Sequence, residues 1–425
     1  MQVLLFHADT LEPLRRLDPN PPLQDAPPRK GLDLNPMHEA LPLPLAMLII
    51  FGSAKLLAEI CERLGQPGIV GEILAGALIG PSVLGWITPN DTLKSLSDLG
   101  VMFLLFGVGL EVKASELLTV GAKATLVATL GVIVPFFAGW GIMSAWGVPQ
   151  VEAIFVGASM VATSVGITAS VLSAKGLLHE VASQIILAAA VIDDVLGLIV
   201  LAAVSSVARG HVNFWEIALT AGLAIAFTVV MGLWGTKAAN HLMPHFDSRV
   251  KADDAKFHIA LVFLFGMGLL AQYTGVAAIV GAFLAGLALS DTADARVRTL
   301  TRGVSELLVP FFLVGIGLHL NLAAFRSRST LILGLLILTA AIVSKLIGCG
   351  LGALSLGWQN VLKIGLGMVP RGEVGMVVAQ IGLSLAVISS EVYSVVVFMA
   401  VATTLVTPLL LKIAFRTPAL EPVEA

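Results

Sequence analysis

Charge is what this chain of 425 residues has least of: Asp, Glu, Lys and Arg make up 12% of it, against roughly 25% in ordinary soluble domains. With 57% of its residues apolar and 42 glycines besides, most soluble classes are excluded. A disordered chain would be less apolar. A nucleic-acid binder would be clearly basic, whereas 25 Lys and Arg against 28 Asp and Glu leave a net charge of -3. Cysteine is scarce too. Cys61 and Cys349 lie in separate apolar stretches, so they form neither a disulfide framework nor a metal cluster and read as packed thiols. A membrane protein remains. The bilayer core offers backbone groups no water, so spanning structures are helices or closed barrels, and barrel strands alternate apolar with polar residues, which this sequence does not do. The expected class is an all-α polytopic membrane protein.

The amino end lacks a secretory signal, because Met1 to Phe6 is too short an apolar run and no small-residue cleavage site follows. Nine of the 20 prolines fall within the first 44 residues, so residues 1–40 read as a Pro-rich extended tail. Residues 417–425 read as a short polar tail, and no appended soluble domain is expected.

A span needs about 20 apolar residues. Thirteen can be placed: 41–63, 67–87, 93–111, 121–146, 151–175, 181–207, 213–240, 255–273, 275–290, 303–320, 329–356, 361–386 and 391–415. With the amino end outside, fourteen Lys and Arg collect in the inner loops, against four in the outer loops and four in the tail, while Lys55, Lys345 and Arg371 lie inside spans. The positive-inside rule therefore puts the amino end out and the carboxyl end in the cytoplasm.

The chain also resembles itself. Gly71-Glu-Ile-Leu-Ala-Gly76 returns as Gly281-Ala-Phe-Leu-Ala-Gly286, 210 residues on. Val101 to Leu110 matches Val309 to Leu318 at six of ten positions, with an offset of 208. At that same 208, Gly157, Met160 and Val161 meet Gly365, Met368 and Val369. Spans 1–6 thus pair with 8–13, and span 7 links them. A displacement of seven spans is odd, so the two units enter the membrane from opposite sides, which makes an inverted-topology repeat, a hallmark of secondary transporters.

Charge inside the bilayer costs about 2.5–3.5 kcal/mol on insertion scales, so an ionisable residue there is a functional candidate. Asp193-Asp194 lies at the midpoint of the otherwise apolar Ile185 to Val204. Neighbouring helix positions differ by about 100° in direction, so one carboxylate can face a cavity while the other turns to a partner. Lys345, deep in span 11, must shed its proton or find a carboxylate, and span 6 offers one. Lys55 lies nearer a span end with Glu59 one turn on, and reads as snorkelling; Glu72 and Glu111 read as interfacial. Pro370-Arg371-Gly372-Glu373 breaks span 12, since proline removes a donor and glycine loosens the backbone. Its repeat partner in span 5 is Ala162-Thr163-Ser164-Val165-Gly166, because 163 + 208 = 371. Interruptions at matching places in two halves point to a transport site. Arg371 and Glu373 either pair with each other to neutralise the ends of the broken helix, or Glu373 joins a proton path.

Paired carboxylates, hydroxyls and freed carbonyls suit H⁺, Na⁺ or Li⁺ rather than a soft metal. A buried carboxylate holds either a proton or a metal ion, and competition for one group is the minimal exchanger.

Ala162 to Thr168, Ile192-Asp-Asp-Val195, Ser344-Lys345 and Pro370-Arg-Gly-Glu-Val-Gly375 together resemble NapA-type bacterial sodium/proton antiporters of the cation:proton antiporter-2 family. The likeness runs from residue 41 onward. It implies thirteen helices, with a dimerisation part at about 41–112 and 255–320, a mobile core at about 121–207 and 329–416 holding two crossed discontinuous helices, and a linker at about 213–240. It further implies that Asp194 is the main ion and proton carrier, that Asp193 pairs with Lys345 and releases it on ion binding, and that Thr163 and Ser164 lie at the helix crossing beside the breaks at Gly166, Pro370 and Gly372. The implied setting is a homodimer in a bacterial inner membrane, exchanging Na⁺ or Li⁺ for H⁺ electrogenically and by an elevator motion, with no cofactor and no nucleic-acid partner. The family's K⁺/H⁺ relatives carry Gln-Asp where this chain has Asp-Asp, so K⁺/H⁺ exchange is the nearest alternative. An intramembrane aspartyl protease is a distant one, since its two aspartates would have to face each other across a water.

Overall fold

The computed structural model describes residues 41–208, 214–247 and 255–415, with the side chains of residues 216, 238–247, 255 and 373 outside that description. Both expected tails, 1–40 and 417–425, fall outside it. The described residues form fifteen α-helices: α1 (Leu43–Arg63), α2 (Gly68–Ile79), α3 (Asp91–Glu111), α4 (Ala114–Trp146), α5 (Gln150–Ser159), α6 (Val165–Ala174), α7 (Val181–Ala208), α8 (Phe214–Asp247), α9 (Ala255–Tyr273), α10 (Ala278–Leu289), α11 (Ala295–Leu318), α12 (Arg328–Gly352), α13 (Trp358–Gly367), α14 (Glu373–Ser384) and α15 (Ser390–Ala414). Nine of these are long and apolar enough to cross a membrane. The thirteen expected spans account for all fifteen, because spans 5 and 12 are each two helices separated by a break.

The repeat register persists in three dimensions. Adding 208 to the bounds of α5 gives those of α13, and adding 210 to those of α2 gives those of α10. Local signals set the ends. Asn90 caps α3 by accepting from the Leu93 N–H at 2.9 Å, and Asp294 caps α11 by accepting from the Val297 N–H at 2.9 Å, each satisfying a donor that the first helical turn leaves open.

Span 2 is shorter than its apolar run predicts. The helix stops at Ile79, eight residues before 87, because Gly80 and Pro81 end it. The chain then folds back, with the Trp86 and Ile87 N–H groups both donating to Ile79 O. Twelve residues of helix reach only about 18 Å, well short of the ~30 Å hydrocarbon thickness. Span 9, as α10, is equally short. In the other direction, α4 starts at Ala114 and α8 runs on to Asp247, beyond the expected 121 and 240.

Helices α1–α3 and α9–α11 pack on one another, as do α4–α7 and α12–α15, with α8 touching both groups. Close approach in the first group depends on glycine. A methyl at Gly76 would land on Val314 O, and one at Gly317 on Ile73 O; in the other repeat, one at Gly286 would land on Phe106 O and one at Gly109 on Phe283 O. The two sets are repeat mates. In each, the short helix of one repeat is seated backbone to backbone on the long helix of the other.

Between the groups the packing is apolar. Ile73, Val101 and Phe312 of the first meet Ile167, Val397 and Val401 of the second, all at most 2% exposed. A polar contact crosses beside it, where Lys412 Nζ of α15 donates to Gly65 O between α1 and α2.

Candidate functional site

Two chain breaks meet inside the second group. Residues 160–164 separate α5 from α6, and 368–372 separate α13 from α14. They are joined directly: the Ser164 N–H donates to Pro370 O at 2.8 Å. The Ser164 side chain is partly exposed and lies 2.7 Å from where a Cβ on Gly372 would be, so only glycine fits there. Gly166 sits in the first turn of α6, and a methyl on it would come 3.0 Å from Val101 of α3, so the turn faces the neighbouring group at contact distance.

Unwinding leaves backbone groups that must find partners, and each break supplies them to the other. Thr168 Oγ1 donates to Gly367 O at 2.7 Å, and Thr163 Oγ1 lies 3.5 Å from Met368 O, so hydroxyls of the first break cap the end of α13. In return, the fully buried Arg371 guanidinium donates to Val161 O at 2.9 Å and Ala162 O at 3.3 Å, and to Ala341 O of α12 at 3.2 Å. A cation is well placed at the carbonyl end of α5, where the helix dipole is negative. Glu373 opens α14, but its side chain lies outside the described residues. Pro370 contributes its carbonyl to the crossing and has no N–H to leave unpaired.

Asp193 holds the first break. It lies on α7, is fully buried, accepts the Thr163 N–H on Oδ2 at 2.8 Å and pairs through Oδ1 with Lys345 Nζ of α12 at 3.1 Å. One carboxylate thus ties three elements together. Lys345 is fully buried, and one turn on the bare Cα of Gly131 on α4 makes room for Cys349, whose Sγ would lie 2.6 Å from a Cβ there. Asp194, next along α7 and 4% exposed, points about 100° away from Asp193 around the helix. With both Asp193 oxygens engaged by Lys345 and Thr163, the two aspartates do not form the facing dyad that proteolysis would need.

The second break has a neutral counterpart to Asp193. The Arg371 N–H donates to Thr403 Oγ1 at 3.1 Å, and Thr404 Oγ1 donates to Arg371 O at 2.8 Å, both threonines being fully buried. The sequence does not point to these two residues: the 208 offset that pairs the breaks carries 193 and 194 to Val401 and Ala402, two positions short of the threonines. Acid in one half is hydroxyl in the other.

The charges nearer the span ends find specific partners. Lys55, its side chain 47% exposed, pairs with Glu72 at 2.8 Å, while Glu59 pairs with Arg63 at 2.8 Å. Glu72 is buried within the protein at 7% exposure. Glu111, by contrast, meets Arg302 at 3.7 Å with over a third of its side chain exposed.

Chemically, the crossing is a buried, oxygen-rich site with two carboxylates on α7 and two cations, Lys345 on α12 and Arg371 in the second break. Lys345→Met would leave Asp193 as an unpaired buried charge, and breaking such a pair is strongly destabilising, by about 3–5 kcal/mol. The expected result is a large fall in detergent melting temperature, largely restored in the Asp193→Asn/Lys345→Met double variant; equal melting of the single variant and the parent would contradict the pairing.

The family model described as the sodium/hydrogen exchanger transmembrane domain matches residues 47–417. Among curated proteins, the chain is 34% identical over 375 residues to the Na⁺/H⁺-K⁺ antiporter GerN of Bacillus cereus, covering 86% of this chain and 95% of GerN. It is also 34% identical over 419 residues to the high-affinity Na⁺/H⁺ antiporter NhaS3 of a Synechocystis strain, covering 88% of this chain and 89% of NhaS3. Among solved structures, the sodium proton antiporter MjNhaP1 of Methanocaldococcus jannaschii superposes with a TM-score of 0.62 at 20% identity, over 86% of this chain and 95% of that one. At that identity the match speaks for the fold.

Proposed function

The chain belongs to the sodium/hydrogen exchanger family, and on that premise we propose that it exchanges Na⁺ or Li⁺ for H⁺ by competition at Asp194, with Asp193 and Lys345 as the coupled pair. The observation that carries this reading is the Asp193 carboxylate, shared between a buried ammonium and the amide of a broken helix. A cation arriving at Asp194 draws on the negative charge of Asp193 next to it and weakens its hold on Lys345, which then gives up its proton. Protons arriving from the other side reverse the sequence. If Asp194 and Lys345 each carry one proton, two leave per Na⁺ and net charge moves, so the exchange is electrogenic.

The packing suggests the motion. Helices α4–α7 and α12–α15 form the moving core, α1–α3 and α9–α11 the scaffold and dimerisation part, and α8 the link, with the core sliding along the apolar seam as an elevator. The working unit is a homodimer in a bacterial inner membrane, amino end outside, with the ion as cargo and no resident cofactor. Lys345→Gln is expected to abolish exchange or make it indifferent to membrane potential; voltage dependence unchanged from the parent in proteoliposomes would take Lys345 out of the mechanism.

The direct test is a selectivity series. The purified chain in proteoliposomes with a preset pH gradient should dissipate it on addition of Na⁺ or Li⁺. Dissipation by K⁺ equal to that by Na⁺ would favour the K⁺-handling variant suggested by the name of GerN, and no response to any alkali cation would refute the exchange reading.

A further inference from the structure

Away from the helix crossing, a further buried carboxylate lies beside the seam between the two helix groups. Glu72 lies one turn into α2 and is 7% exposed. Its Oε1 is paired with Lys55 Nζ at 2.8 Å, but its Oε2 accepts no hydrogen bond. An unsatisfied buried acceptor costs about 1–3 kcal/mol, more when charged, so a second ligand for that carboxylate would recover a real penalty.

Beside it lies a cavity of 680 Å³. Lys55, Glu62 and Glu72 line it from the first group, and Val171, Lys175 and Lys412 from the second. Helix α6 connects this cavity to the crossing. Val165 follows the break directly, Ile167 is part of the apolar seam with Ile73 and Phe312, and Val171 and Lys175 reach the cavity, about 9–15 Å from Val165 along the helix. The order is therefore crossing, apolar seal, cavity. Glu72 is the chain neighbour of Ile73 in the seal, so its carboxylate stands at the last charged position before the dry segment. The Lys55 side chain, by contrast, is 47% exposed and can swing into the open cavity.

We propose that Glu72 is a relay ligand for the alkali cation passing between this face of the protein and the crossing, with the Lys55 ammonium as its resident stand-in. An entering Na⁺ or Li⁺ takes the carboxylate as Lys55 swings away, and Lys55 returns once the ion has moved on. The inference deepens the exchange reading and rests on it.

Two opposite charge changes test it in the full chain in proteoliposomes, with KM for Na⁺ measured separately from each face. Glu72→Gln should raise KM about 5–10-fold from the face carrying the carboxyl end, leaving kcat and the other face unchanged, whereas Lys55→Gln should lower KM from that same face. Equal shifts from both faces, or both variants moving KM the same way, would show a packing role and overturn the relay. A measurement without turnover separates this from failure of the exchange reading. In the Asp194→Asn protein, Li⁺ should still raise the melting temperature above that in choline at equal ionic strength, and adding Glu72→Gln should remove the increment. No increment in Asp194→Asn, or one that survives Glu72→Gln, overturns the proposal whether or not the parent exchanges Na⁺.

Discussion

Asp194→Asn should reduce Na⁺-driven collapse of a pH gradient by at least about 100-fold, equal to roughly 2.7 kcal/mol in the rate, while leaving the protein folded. Asparagine matches aspartate in shape but carries neither the charge that attracts a cation nor the group that takes its proton, so it removes both sides of the competition. Asp194 is 4% exposed on the helix that also carries the Asp193–Lys345 pair, so nothing in the backbone needs to move. Asp193→Asn behaves differently: it leaves Lys345 buried without its carboxylate, which costs about 3–5 kcal/mol, and it loses both stability and transport. The two neighbours are thus separable by measuring melting and exchange side by side. Exchange in Asp194→Asn at the parental rate would refute the assignment, and parental melting of Asp193→Asn would refute the pairing.

Gly76→Ala and Gly286→Ala should each destabilise the protein by roughly 3 kcal/mol or more, enough to prevent its accumulation in membranes. Added methyls there overlap Val314 O and Phe106 O, and a backbone carbonyl in a long helix cannot rotate out of the way as a side chain can. Gly141→Ala on α4 is the control, since nothing lies within 4 Å of the added methyl, and removing glycine from an exposed helix interior gains up to about 1 kcal/mol. Fluorescence-detected melting in detergent distinguishes them. If Gly76→Ala melts with Gly141→Ala, the backbone-to-backbone seat of α2 on α11 is refuted.

Much of this architecture is legible in the one-dimensional text because a bilayer punishes stray charge. The interrupted spans follow from Pro370, Gly372 and an offset of 208 residues, and the structure breaks at 160–164 and 368–372. What could not be read has physical causes. The acceptors of Arg371 are the carbonyls of Val161, Ala162 and Ala341, which every residue possesses and no composition betrays. That Lys55 pairs with Glu72 could not be read either, because helical spacing reveals only neighbours one turn away, and Glu72 sits on the next helix. The early end of α2 at Gly80 and Pro81 is masked by an apolar run that continues to 87, and the return of Trp86 and Ile87 onto Ile79 is a contact that an apolar window does not show. Thr403 and Thr404 lie two positions past where the 208 offset carries Asp193 and Asp194, and hydroxyls in an apolar span attract less notice than carboxylates.

The glycine seats also bear on how such a protein can be made. Helix α2 is seated on α11, whose Gly317 is synthesised 241 residues after Gly76. The α3 seat for α10 is ready early but stays empty until the second repeat emerges. The first half therefore emerges unable to close its own scaffold, which is completed only when its inverted twin arrives. A free-standing ancestral half would have met the same obstacle, and a second copy threaded the opposite way through the bilayer would have removed it.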